Sequence, residues 1–462
     1  MLEGIIGGST SALANGGEAA LAGAPSSSAL AGGFVDGAGA DWGTASPGLG
    51  APVAPGAGGS FGIGDASGTG GAGSSGSVVR FNAGPVTADG VGALGAAPAP
   101  ATEAVPPVRR GDRYVFDTGA VVATVDDTGH VVSFVDARSG REAIAPGAAG
   151  AEYTVFRDTP NQWDAWDIDR AYQRSGRSPV LDGIEVVGDT VVVRRSVGGS
   201  TITTTYSATV GATELAIETA VDWHESQKLL KLAFPLDVLA GHASSEIQFG
   251  HIDRPTHQNT SWDHARFETS AHRWVHVGEP GFGLAVANDS TYGHDITRST
   301  RADGGATTLV RESLVRAPKY PDPNADQGHH VFRTVLAVAP PVLEAASAGY
   351  RLNLPVRAVP VSDGAAPVAV PPIVTVSSPQ VFVEAVKLAE DRSGDVVVRL
   401  YEALGARATD VGVDFGFDVA SVVRTDLLER PLDASDVASA SWDAGAPVSL
   451  TLRPFEIVTL RV

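Results

Sequence analysis

The stretch "HIDRPTHQNTSWDHARFETSAHRW", His251 to Trp274, concentrates four histidines, two aspartates, a glutamate and two tryptophans. Three kinds of role suit such a mixture: a zinc site, a sugar-binding surface, or an unusually polar piece of a β protein. A zinc enzyme needs three protein ligands at about 2 Å and an open fourth position. On a strand, His251 and Asp253 point to the same face, and His257 could supply a third ligand. Seven of the 11 histidines lie between His242 and His294. Against zinc, a three-residue match arises easily by chance, and no helix carries an HExxH-type pair.

Carboxylates offer a second chemistry. Glycoside hydrolysis uses two of them roughly 5–10 Å apart. "QWDAWDIDRAY" interleaves Asp164, Asp167 and Asp169 with Trp163 and Trp166. Aromatic faces stack on the C–H faces of sugars, and carboxylates accept their hydroxyl hydrogen bonds. The alternative is an acidic loop anchored by two core tryptophans. "RPTHQNTSWDHARFE" repeats the mixture, with Arg254, His257, Asn259, Asp263 and Arg266 around Trp262. Pro255 interrupts a strand ladder and indicates an ordered loop. Here the alternative is a set of buried ion pairs, Asp263 with Arg266 or Arg273, that only tie loops together. "APKYPDPNADQGHH", Ala317 to His330, is a polar loop that could be a lid or a connection. No phosphate-binding glycine loop, GxSxG elbow or nucleotide motif accompanies these groups.

The elements that must hold these loops read as strands. "GAVVATVDDTGHVVSFVDARSGRE" is two β-branched runs around the turn "DDTGH", a hairpin signal. Short strands continue through "DGIEVVGDTVVVRRSVGGSTITTTYSATVGATELAIETAVDW", and no long helical period appears between Gly111 and Val335. The pattern predicts an all-β protein: a large antiparallel sandwich over 78–345, a Pro-rich boundary passage "PVLEAASAGYRLNLPVRAVPV", and a smaller β-sandwich within 346–462. Before Ser77 the chain is Gly, Ala, Ser and Pro with little charge. Residues 15–77 are expected to be a flexible, disordered linker, since they offer too little apolar surface to offset the entropy of ordering.

Composition narrows the function classes. The chain has 462 residues, 53 acidic and 33 basic side chains, and a net charge of −20. It is expected to repel nucleic acid and anionic membranes. It contains no cysteine, so disulfides, thiolate catalysis and Cys-ligated zinc are excluded. "MLEGIIGGSTSALA" lacks the basic start and long apolar core of a secretory leader, and no window approaches the ~18 apolar residues of a membrane helix. The expected setting is the cytoplasm. The richness in Ala, Gly, Pro, Val and Arg is what a GC-rich bacterial genome encodes.

Seven stretches carry a family resemblance: "PNQWDAWDIDRAY", "VDWHESQKLLKLAFPLDV", "RPTHQNTSWDHARFETSAHRW", "GFGLAVANDSTYGHD", "LVRAPKYPDPNADQGHHVF", "VEAVKLAEDRSGDVVVRLYEALG" and "LRPFEIVTLR". They resemble the C-terminal half of glycoside hydrolase family 38, the zinc-dependent α-mannosidases, in its cytosolic and vacuolar branch. The resemblance covers about residues 110–462. "VVRFNAG" is similar to the strand where that half begins, and residues 1–14 are similar to the end of the family's helical bundle.

The resemblance implies a galactose-mutarotase-like supersandwich followed by a smaller sandwich. It also implies that the zinc ligands and nucleophile belong to a separate catalytic barrel, expected before residue 1. This chain is then expected to hold no catalytic residue and no metal ligand, and to be inactive alone. His251 and Asp253 become a coincidental match to the barrel's motif. Trp163, Asp164, Trp166, Asp167, Arg254, His257, Asn259, Trp262, Asp263 and Arg266 become candidates for a wall of the sugar site. The implied partners are the barrel, in the same chain or from a split gene, and mannose-containing glycans. A homo-oligomer is a further expectation, because a face evolved to be covered would associate. The competing hypothesis is a stand-alone carbohydrate-binding or structural β protein of the same descent.

Overall fold

Alternation in the sequence becomes alternation in burial. Along Glu214–Trp223, the side chains of Leu215, Ile217, Thr219, Val221 and Trp223 are buried and those between them are partly exposed, the period of a strand with one face on a core. In the computed structural model, which describes residues 78–98, 102–361, 368–433, 435 and 441–462, this strand lies inside a nine-stranded antiparallel sheet. The expected 15–77 linker and the 1–14 helical segment lie outside the described residues.

The nine strands run in the order Gly250–Pro255, His242–Ile247, Trp274–Glu279, Phe282–Asn288, Gly328–Val338, Glu214–Trp223, Ser200–Ser207, Thr190–Val197 and Val180–Val187. Two five-stranded sheets share their core. One holds Thr269–Ser270, Gly293–Thr300, Ala306–Val315, Lys228–Leu236 and Glu152–Arg157; the other runs from Val108–Arg110 to Arg141–Glu142. Phe116, Phe134, Tyr206, Leu215, Trp223 and Phe234, drawn from all three sheets, belong to one buried cluster. Each such side chain contributes roughly 1.5–3 kcal/mol by leaving water. The predicted hairpin is present: Val121–Val125 pairs antiparallel with Val131–Asp136. Its turn is pinned to the large sheet by Arg195, which donates to the carbonyls of Thr128 at 2.8 Å and Gly129 at 2.9 Å.

A smaller sandwich follows. A three-stranded sheet (Val374–Val376, Ala408–Phe415, Val448–Leu452) and a five-stranded sheet (Val381–Leu388, Val396–Glu402, Ile457–Arg461, Ser421–Thr425, Ser441–Asp443) enclose a valine- and leucine-rich core. All-β architecture, with a large sandwich before a small one, therefore agrees with the sequence reading.

The boundary differs from the expected one. The passage read as Pro-rich is a helix, α1, Val342–Asn353, so a division at 345/346 falls inside it. Pro341 precedes the helix with extended backbone, where proline's missing N–H costs nothing. Ala345, Ala346, Ala348 and Tyr350 pack between the nine-stranded sheet and Phe382 and Tyr401 of the small sandwich. Gly349 permits that approach: a Cβ there would stand 2.7 Å from Cδ1 of Trp274. Among the described residues no helix is long and apolar enough to cross a membrane.

Candidate functional site

Both loops singled out in the sequence emerge at one end of the large sandwich, and the structure brings them together. The chain leaves the strand Glu152–Arg157, traverses "WDAWD", and turns through a 3-10 helix at Arg170–Arg174. From that turn Arg170 donates to the carbonyl of His264 at 2.8 Å and to Oε1 of Gln258 at 2.7 Å. The second loop is thereby tied to the first. Within it a short helix, α2, spans Ser261–Ala265.

Arg316 organises the first loop. Its Nε meets Oδ2 of buried Asp158 at 2.5 Å, its Nη1 donates to the carbonyl of Ala165 at 3.1 Å, and its Nη2 donates to the carbonyls of Asp164 and Asp167. Burial pushes the Asp158 carboxyl above the ordinary aspartate range, and Arg316 pulls it back. Asp164 is engaged by the loop that could have been a lid: it accepts from the backbone N–H of Lys319 at 2.6 Å and of Tyr320 at 3.1 Å. That loop is accordingly a buttress for "WDAWD". Asp167 accepts from its neighbour's N–H, Ile168, at 2.8 Å.

Neither tryptophan of "WDAWD" anchors a core. Trp163 and Trp166 keep 65% and 66% of their surface in contact with water, and Trp166 leans on exposed Tyr320 with ring centroids 6.1 Å apart. Trp262 on α2 is 74% exposed. The aromatic side chains are free to meet a ligand or another protein face.

Asp263 caps its own helix. Its carboxylate accepts from Thr260 Oγ1 at 2.8 Å and Thr260 N at 3.2 Å, while Thr260 Oγ1 accepts from Asp263 N. This capping box holds the carboxyl below the ordinary aspartate range. His257 lies against it, Nδ1 to Oδ2 at 3.4 Å, and Asn259 is exposed beside them. The alternative ion pairs, Asp263 with Arg266 or Arg273, are not formed among the described residues. Arg273 instead grips Glu246, with Nη2 to Oε1 at 2.6 Å. Both Asp263 and Arg273 are satisfied by nearer partners.

Between the two loops opens a cleft of about 580 Å³, lined by Ile168, Leu229, Arg254, Arg266, Glu268 and Arg316 among others. Of the candidate residues, Arg254 and Arg266 line it; Trp163, Asp164, Trp166, Asp167, His257, Asn259, Trp262 and Asp263 do not. Its floor holds a charge network that the sequence reading missed. Lys231 Nζ, fully buried, contacts Glu268 Oε1 and Asp295 Oδ2, each at 2.5 Å. Arg311 pairs with Asp295 at 2.8 Å, and Tyr172 donates to Glu268. Burial raises the Glu268 carboxyl, Lys231 opposes that shift, and Asp295 adds to it. The available signal was Lys231 in the middle of "KLLKLAFPL", a run that is apolar after its opening Lys228.

His251 has no place in a metal site here. Its ring packs edge-on to Phe455 at 5.1 Å and against Trp274 at 5.8 Å, and its Nδ1 lies 3.2 Å from the carbonyl of Ala403. It joins the two sandwiches, while Asp253 accepts from Ser244 Oγ at 2.6 Å. Among the described residues no three His, Asp or Glu side chains are grouped to hold a metal.

Comparison with known proteins decides the descent. Residues 117–324 match the glycosyl hydrolases family 38 C-terminal domain, and residues 380–460 match the family's C-terminal beta sandwich domain. The chain belongs to glycosyl hydrolase family 38. It is 39% identical over 359 residues to alpha-mannosidase 2C1 of Homo sapiens, covering 75% of this chain and 33% of that protein. Alpha-mannosidase G of Dictyostelium discoideum is 30% identical over 75% of this chain and 32% of its own length. The family 38 chain thus spans about a third of the length of the curated relatives it matches. An alpha-mannosidase from Enterococcus faecalis V583 has the same fold, with a TM-score of 0.61 at 15% identity, over 80% of this chain and 45% of that one. The matched segments take in the "WDAWD" and "RPTHQNTSWD" loops and most strands of the two sandwiches; Val108–Arg110, Gly328–Val338 and Val374–Val376 lie outside them.

Proposed function

We propose that the chain is the β-sandwich portion of a zinc-dependent, retaining α-mannosidase of the cytoplasm. In this reading it walls the site for terminal mannosides beside a catalytic barrel, supplied in the same chain or by a separate one. The observation that carries the reading is the gathering of Trp163, Trp166, Tyr320, Trp262, Arg254 and Arg266 around one end of a family 38 sandwich, exposed or without partners. Exposed aromatic groups of this kind mark ligand or protein contacts. The zinc and the nucleophile are assigned to the barrel, and no step is assigned to a metal on this chain. What the chain contributes is shape: Arg316 and the Asp158 carboxylate fix the "WDAWD" loop, and the Lys231 network fixes the cleft floor.

The test is complementation. The purified chain should not hydrolyse an aryl α-mannoside, with or without zinc or cobalt. Co-expressed with a family 38 barrel fragment, it should co-purify with it and restore hydrolysis. Metal-dependent turnover by the chain alone that vanishes in His251→Ala would sink the proposal. A barrel that neither binds nor gains activity would favour a stand-alone glycan-binding protein, with the free chain monomeric.

A further inference from the structure

The cleft carries a charge imbalance that a neutral mannoside does not require. Of its three arginines, Arg316 has an acidic partner in Asp158. Arg254 and Arg266 form no ion pair within 4.0 Å among the described residues. One guanidinium nitrogen of Arg254, Nη1, is out of contact with solvent and has no acceptor. An unpaired buried N–H is rare in native proteins and, on a charged group, costs more than on a neutral one. Burial and the like charge of Arg266 together lower the Arg254 pKa.

The imbalance is notable because the chain has carboxylates to spare, 53 against 33 basic groups. Those that reach the cleft are committed elsewhere. Glu268 holds Lys231 and Tyr172, and Asp326 accepts from the backbone N–H of Ala317 at 3.0 Å. Asp263 feels Arg266, but its oxygens serve Thr260 and His257. Neither guanidinium meets a carboxylate within ion-pair distance among the described residues, and both side chains line the cleft.

We infer that the cleft binds the oxyanion of an acidic saccharide, a sugar phosphate or a uronate, between Arg254 and Arg266. This rests on the reading of the cleft as a saccharide wall and specifies the saccharide. Guanidinium forks match phosphate and carboxylate oxygens in pairs, with N–H donors at fixed spacing. An anion between two like charges removes their repulsion. A volume of about 580 Å³ lies within the ~300–1,000 Å³ of small-molecule sites. The competing occupant is a carboxylate side chain of the catalytic barrel.

Isothermal titration of the 462-residue chain separates these occupants. The probes are methyl α-mannoside, mannose 6-phosphate, methyl α-glucuronide and inorganic phosphate, each at low salt and at 0.3 M salt, about where charge screening shortens to several ångström. An anionic sugar should bind at least ~10-fold tighter than methyl α-mannoside, about 1.4 kcal/mol. Salt should shrink the advantage, and Arg254→Gln and Arg266→Gln should each remove it. Arg266 is exposed, so its variant keeps the test valid if Arg254→Gln does not fold.

Equal binding of neutral and anionic sugars overturns the inference and leaves the mannoside wall standing. An advantage that survives both substitutions overturns it, as does binding of inorganic phosphate with no gain for any sugar. Loss of the preference once the barrel fragment is bound also overturns it, because the arginines then serve a barrel carboxylate. Failure of barrel complementation is read from hydrolysis, not from these titrations, so the two readings fail separately.

Discussion

Two ends of the large sandwich use the same residue types in opposite ways. At the junction with the small sandwich, Trp274, Tyr350, Phe382 and Tyr401 are buried together. Arg273 lies 3.9 Å above the Tyr350 ring and is bound to Glu246. At the cleft end, Trp163, Trp166, Trp262 and Tyr320 face water, and Arg254 and Arg266 have no carboxylate within ion-pair distance. The junction is an interface whose two halves are both present. The cleft end has the composition of one half of an interface, aromatic and arginine-rich. Burial, not residue type, separates a structural contact from a surface available for binding.

Substitutions at the two ends should separate them in size. Lys231→Met should be the most damaging, at about 3–5 kcal/mol, because it leaves Glu268 and Asp295 buried beside each other with one cation fewer. Equilibrium urea unfolding measures it, and a loss below ~1 kcal/mol would mean that the network is not coupled to folding. Trp274→Ala should cost a similar ~3–5 kcal/mol by opening a cavity at the junction. If the two sandwiches then unfold in separate transitions, the junction is what makes them cooperative.

A smaller effect should appear with pH. Glu312 is fully buried, and burial raises its carboxyl to about 8; its neighbour His294, 3.9 Å away, is lowered to about 4, also by burial. Between pH 6.5 and 8 the folded state keeps a proton on Glu312 that the unfolded chain has released, so stability falls as pH rises. Below pH 6.5 the unfolded chain protonates His294 and the folded state does not, which works in the opposite direction. Glu312→Gln should flatten the decline above pH 6.5, worth on the order of 1 kcal/mol. Chemical denaturation at pH 6.5, 7.25 and 8 tests this, and an unchanged slope in the variant would place the Glu312 pKa below that window.

The smallest stability effects belong to the exposed tryptophans. Trp166→Ala and Trp262→Ala should each change folding free energy by less than ~0.5 kcal/mol. Both should nonetheless weaken barrel complementation, read as lost co-purification. If either unfolds the chain, the contrast between the two ends is wrong; if complementation is untouched, that tryptophan is outside the docking face.

Much of this protein was legible in the order of its residues, because period-2 alternation and turn chemistry are local. Strands such as Glu214–Trp223, the hairpin around "DDTGH", and the succession of a large and a small sandwich follow from that local pattern. So did the closeness in chemistry of the "WDAWD" and "RPTHQNTSWD" stretches. What the tertiary structure alone decided was which polar groups find partners. Trp163 in an acidic loop reads the same whether it anchors a core or faces water, and Asp263 could pair with Arg266, Arg273 or its own helix. Those choices depend on contacts between residues distant in the chain: Arg316 reaching Asp158, Glu268 meeting Lys231, Glu246 claiming Arg273. Helix α1 escaped for a related reason. Its prolines mark ends, but its alanines acquire meaning only when two sandwiches close on them.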